Sequence, residues 1–107
     1  MQRAAFCAAF LVLTGCGGKE TPEDAQVRKG RTQFIIHCSS CHGTDPTREG
    51  ALGPAIHGSS LELLQARILR GEYPPGYVPK RATKIMQKLP ITEPEIQALH
   101  AFLNSKP

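Results

Sequence analysis

Two cysteines three positions apart, with a histidine directly after the second, constrain this chain more than any other feature: Cys38-Ser39-Ser40-Cys41-His42. The other two cysteines do not compete for the same chemistry. Cys7 lies within an apolar N-terminal stretch, and Cys16 follows that stretch. Only Cys38 and Cys41 then remain in the folded part, so a disulfide framework is excluded.

The N-terminus has its own logic. Met1-Gln2-Arg3 supplies a positive start, and Ala4 to Leu13 is apolar without a single charge. That run is too short to span a bilayer as a stable helix. It suits the apolar region of an export signal. The alternative, a buried helix, would leave no polar side chain to face solvent. The run ends Leu13-Thr14-Gly15-Cys16, which resembles a bacterial lipoprotein box. The resemblance implies that Cys16 is acylated and becomes the mature N-terminus; an ordinary exported protein with an incidental Cys16 is the competing reading. The expected organisation is a signal over 1–15, a lipidated flexible tether over 16–21 and a folded domain over 22–107. The domain is expected on the periplasmic side of a bacterial membrane. Gly17, standing where an aspartate often marks inner-membrane retention, leans toward the outer membrane.

Charge is less restrictive. The chain has 13 Lys+Arg against 9 Asp+Glu, a net charge of +4. Loss of residues 1–15 removes Arg3 and no acid, leaving 12 against 9 and a net +3. This is too small to point to nucleic acid as a partner. Lys80, Arg81, Lys84 and Lys88 crowd one segment and Glu20, Glu23 and Asp24 another. Such clusters are most simply solvated surface.

The pattern of the domain is helical throughout. Thr21 caps and Pro22 opens a helix over about 22–37, with Val27, Gly30 and Phe34 at helical spacing. Residues 43–58 are rich in glycine and proline and read as loop. Ser59 and Glu62 are placed to form a capping box for a helix bearing Leu61, Leu64 and Ile68, which Gly71 ends. Pro74-Pro75-Gly76 and Pro79 mark a structured loop over 72–81. Thr92 and Glu95 form a second capping box, before a helix carrying Ile96, Leu99 and Leu103 and ending near Asn104. The expected class is all-α. Its core is thin: Phe34, Tyr73, Tyr77 and Phe102 are the aromatics left beyond the signal, and there is no Trp. A domain of about 85 residues with long loops needs something more to bury.

The C-x-x-C-H spacing supplies it, because this is the signature of covalent haem attachment. Each thiol adds to one haem vinyl group, and the two intervening residues let both sulfurs reach one edge of the macrocycle. His42 follows directly and can reach the iron. A thioredoxin-like dithiol would call for a βαβ pattern, which is absent. Half a zinc site would need His37, His57 and His100 in an unusual arrangement. Export, the thin core and the adjoining imidazole favour haem. Two haem propionates would bring the net charge to about +1.

With the motif in place, residues from about 25 to 104 resemble a class I cytochrome c domain. That resemblance implies three to five helices around one covalently bound haem c. It pairs Gly30 and Phe34 of the first helix with Leu99 and Phe102 of the last. In Leu52-Gly53-Pro54 it implies a Pro54 carbonyl that accepts from the free imidazole nitrogen of His42. It makes Met86 the second iron ligand opposite His42, although Gln87 stands where many relatives have proline. Tyr73, Tyr77, Arg67 and Arg81 are candidates for the propionates. The implied function is one-electron transfer between redox partner proteins, without enzymatic activity, with docking near Lys80, Arg81, Lys84 and Lys88. A haem enzyme or gas sensor with an open sixth position is the alternative.

The N-terminal reading has a direct test. Cys16→Ser is expected to release the protein from membranes or to block its maturation. Mass spectrometry that finds an unmodified mature start downstream of Cys16 would rule out the lipid anchor.

Overall fold

The computed structural model describes residues 17–107 and, upstream of them, Ala9, Leu11, Val12 and Gly15. Cys16 and most of the apolar N-terminal run lie outside the described residues. Four helical segments follow one another: α1 (Pro22–His37), α2 (Ser39–His42), α3 (Leu61–Gln65) and α4 (Glu93–Leu103). α3 runs directly into a π-helical turn over Ala66–Arg70. Among the described residues there is no strand, and no helix is long and apolar enough to cross a membrane.

α1 begins as its sequence dictates. Thr21 Oγ1 accepts from the Asp24 N–H at 3.1 Å, and the Asp24 carboxylate accepts from the Thr21 N–H at 3.2 Å. α4 repeats the device, with the Thr92 N–H donating to the Glu95 carboxylate at 2.7 Å. α3 departs from expectation. Its N-cap is Ser60, whose hydroxyl accepts from the Leu63 N–H at 3.1 Å, and Ser59 and Glu62 do not form a box. The Ser59 hydroxyl instead donates back to the Ile56 carbonyl at 2.6 Å. Two adjacent serines offer the same cap chemistry, and the loop geometry chose the second. Gly71 ends the helical run in the left-handed region, at φ 67°, where glycine carries no steric penalty.

The frame of the molecule is α1 crossing α4. Gly30 sits at the crossing: a Cβ built there would overlap the Ala98 carbonyl of α4 and lie 2.8 Å from the Phe102 Cβ. Beside it the Phe34 and Phe102 rings meet at 5.5 Å between centroids, tilted by 48°. Phe34, Ile68, Ile96, Leu99 and Leu103 are fully buried. Each contributes about 1.5–3 kcal/mol through burial. Leu64, Ile91 and Cys38 complete the same cluster. The loops close onto this frame by single contacts. The Gly58 N–H donates to the Leu103 carbonyl at 2.8 Å, and the Leu89 N–H donates to the Ile68 carbonyl at 3.1 Å.

Two outcomes are expected from this packing. Gly30→Ala gains up to about 1 kcal/mol in helix propensity. The overlap with α4 backbone outweighs it, for a net loss of about 2–3 kcal/mol in chemical unfolding. The capping carboxylate of Glu95 is held below its ordinary value of 4.5, first by the Thr92 N–H and next by the Thr92 hydroxyl. A lowered folded-state value adds stability above the unfolded value, and this is lost as pH falls through the folded one. Glu95→Gln should therefore flatten the decline of the unfolding midpoint below about pH 4.5.

Candidate haem-binding site

The cysteine motif is an extension of the helical frame. The Cys38 N–H caps α1 by donating to the Phe34 carbonyl at 2.9 Å, and the chain then turns once more as α2. The Ser39 hydroxyl reaches back to the Ile35 carbonyl at 2.7 Å and joins the two segments. Cys38 is buried against the core, whereas Cys41 is exposed. Burial, and secondarily the neighbouring Cys41, push the Cys38 thiol up to about 11. As a free thiol, before any haem is attached, this sulfur is therefore protonated at neutral pH.

The loop over 43–60 folds back onto this turn. The Cys41 carbonyl, left without a helical partner, accepts from the N–H groups of Leu52 at 3.1 Å and Gly53 at 2.9 Å. Two of the four glycines in this loop, Gly50 and Gly53, are sterically required. A Cβ on Gly50 would run into the backbone of Cys41 and His42, and one on Gly53 would sit 2.5 Å from His42 Nδ1. The close approach brings His42 Nδ1 to 2.8 Å from the Pro54 carbonyl oxygen. That carbonyl can only accept, so Nδ1 carries the proton in the neutral ring. Nε2 is left with a free lone pair, which is the form an imidazole needs to bind a metal.

Next to this turn lies a cavity of about 600 Å³. Its lining brings together Cys38, Cys41, His42, Pro54 and Met86, the five residues singled out from sequence, although they span nearly 50 positions. Leu64, Ile68 and Leu99 give it an apolar floor continuous with the core. Its volume lies within the range of ligand and cofactor pockets. An apolar slot with two thiols and a directed imidazole at its margin fits a flat, largely apolar macrocycle that carries a metal. The zinc alternative finds no support: among the described residues no three His, Cys, Asp or Glu side chains gather to hold an ion.

The remaining site candidates fall around the same cavity. Tyr73 and Tyr77 line it and stack on each other, 5.4 Å apart with their planes 8° from parallel. Arg67 lies over the Tyr73 ring at 4.3 Å. Lys80 and Arg81 also line the cavity, and both are tied to the loop that orients His42. Lys80 Nζ donates to the Ala55 carbonyl at 2.7 Å. Arg81 pairs with Glu49 at 3.4 Å and points a second contact at the Gly50 carbonyl. Lys84 and Lys88 are exposed. Sequence reasoning missed these tethers and the steric role of Gly50 and Gly53. A glycine beside a proline signals only a turn until its neighbour in space is known.

The comparison with known proteins points the same way. The family model described as Cytochrome c matches residues 27–106. No curated protein matches the chain. The match takes in α1 from residue 27 onward, the cysteine motif, the cavity and α4 together. The chain belongs to the cytochrome c family, and its cofactor is covalently bound haem c.

Proposed function

We propose that this protein is a membrane-tethered one-electron carrier in which Cys38 and Cys41 hold the haem by thioethers and His42 and Met86 are its two axial ligands. Proteins of the cytochrome c family are typically electron carriers. The observation that carries the finer reading is the His42 Nδ1 contact to the Pro54 carbonyl at 2.8 Å, beside a cavity that Met86 also lines. The contact fixes one ring orientation and makes the imidazole a stronger donor through Nε2. Met86 is half-buried and packs against the core cluster, and its neutral thioether ligates without losing a proton. A lysine in the same segment would first have to be deprotonated, at considerable cost near neutral pH.

The haem supplies reversible exchange between ferric and ferrous iron. The chain excludes water, orients His42, keeps the sixth position closed with Met86 and so favours a relatively high potential. With His42 and Met86 both holding the iron, no position would be left open for a substrate, and the haem would supply electron exchange alone. Lys80 and Arg81 at the cavity, with Lys84 and Lys88 in the same segment, would give a basic surface suited to an acidic redox partner, with Lys84 and Lys88 the freest to steer it. The net charge gives no reason to add nucleic acid as a partner. Acylation at Cys16 would hold the domain at the periplasmic face of a membrane, with the outer membrane favoured.

Extraction, spectroscopy, the potential and carbon monoxide binding test this assignment. Haem that stays with the polypeptide through acidic-acetone extraction is expected from thioether attachment. The ferric protein should show the weak red charge-transfer band of methionine-ligated haem. Met86→Ala is expected to abolish that band, lower the potential and open the ferrous iron to carbon monoxide. A band that survives in Met86→Ala removes Met86 as the ligand. Carbon monoxide binding by the unmodified ferrous protein would instead favour an enzyme or sensor.

A further inference from the structure

The segment that carries Met86 has little to hold it. Residues 72–92 contain no regular secondary structure, so their backbone makes no helical or sheet ladder of its own. Between Ala82 and Lys88, among the described residues, one hydrogen bond is made: Arg67 Nη2 donates to the Met86 carbonyl at 3.3 Å. The same guanidinium donates through Nη1 to the Gly71 carbonyl at 3.0 Å and covers the Tyr73 ring. Tyr73 in turn stacks on Tyr77. One side chain thus joins the start of the long loop to the residue at its functional end.

We propose that Arg67 is a positioning residue for Met86, acting as a brace that keeps its thioether on the iron; this rests on Met86 being the axial ligand. The local backbone is shaped for the task. The π-helical turn at Ala66–Arg70 lets the Ala66 carbonyl accept from both Gly71 and Glu72, the latter at 3.0 Å. π-turns of this kind recur at functional positions. The chain then reverses at the left-handed Gly71 and presents the Gly71 carbonyl to Arg67. A guanidinium suits this geometry because its planar fork serves two carbonyls at once while one face stays on an aromatic ring. A lysine ammonium keeps the charge but has neither the fork nor the flat face. Bonds from a charged donor are also stronger than neutral ones, so the contact to Met86 weighs more than its count suggests.

Imidazole titration of the ferric holoprotein reads the brace directly. Added imidazole binds only where Met86 has left the iron, so its apparent affinity scales with the population of that open state. Arg67→Met should raise the apparent affinity about tenfold, the effect of losing one charge-assisted hydrogen bond. Arg67→Lys should raise it by a smaller factor, and it carries the test alone if Arg67→Met fails to take up haem. Arg70→Met is the control. It removes the same charge from the same turn, but Arg70 is exposed and, among the described residues, pairs with Glu72 alone, at 3.7 Å. Its imidazole affinity should match that of the unmodified protein. The red charge-transfer band of the unmodified protein is read first, and its absence would sink Met86 ligation itself whatever Arg67 does. With that band present, unchanged affinity in the Arg67 variants overturns the brace. An equal rise in Arg70→Met overturns it too, by making charge alone responsible.

Discussion

The close crossing of α1 and α4 at Gly30 is the contact on which the rest of the molecule depends. It sets how deeply Phe34 and Leu99 enter the core, because no side chain stands between the two backbones at that point. Cys38 caps α1 one turn beyond Phe34, so the depth of that crossing also sets the position of the first thiol. α2 continues from Cys38 without an intervening loop and therefore inherits the placement. The cysteine motif is thereby built directly onto the packed helical frame. Positioning a cofactor with rigid elements is more accurate than positioning it with loops.

The irregular half of the domain solves a different problem. Two long segments without secondary structure line much of the cavity, and each must be held in place with few backbone partners of its own. The first is sealed by backbone. The Cys41 carbonyl takes two N–H groups, and Pro46 takes those of Ile56 and His57, each at 2.9 Å. The second is sealed by cationic side chains that reach carbonyls: Lys80 to Ala55, Arg81 toward Gly50 and Arg67 to Gly71 and Met86. Positive charge in residues 67–81 therefore does structural work before it can do any docking. A cation bound to a carbonyl is less free to steer a partner, which separates Lys80 and Arg81 from the exposed Lys84 and Lys88.

The cavity also accounts for the thin core. The described aromatics give the fold few large groups to bury, and those that line the cavity stack on one another. A domain of this size gains too little from its own side chains to close over a space of about 600 Å³. A bound macrocycle would turn the lining into interior. Folding and cofactor attachment are expected to be coupled for that reason, as is general where a ligand binds only the native state.

How much of this was legible in the sequence follows from the range of each interaction. Helix starts at Thr21 and Thr92, the end at Gly71 and the apolar stripes of α3 and α4 depend on residues within a few positions of each other, and each was readable. The cysteine motif was readable because its spacing is itself the chemical requirement. Ser60 displacing Ser59 as the cap was not, since adjacent serines are equivalent until the loop before them has a direction. Nor was the π-helical turn, whose residues favour an ordinary helix. What the sequence by itself determined was the helical class, the attachment motif and the candidate residues. Only the tertiary structure decided that Gly53 must lack a side chain because an imidazole lies against it. It also decided that Arg67 bonds the carbonyl of Met86, 19 positions away. Both are contacts between segments that local propensity leaves independent, and packing alone brings them within bonding distance.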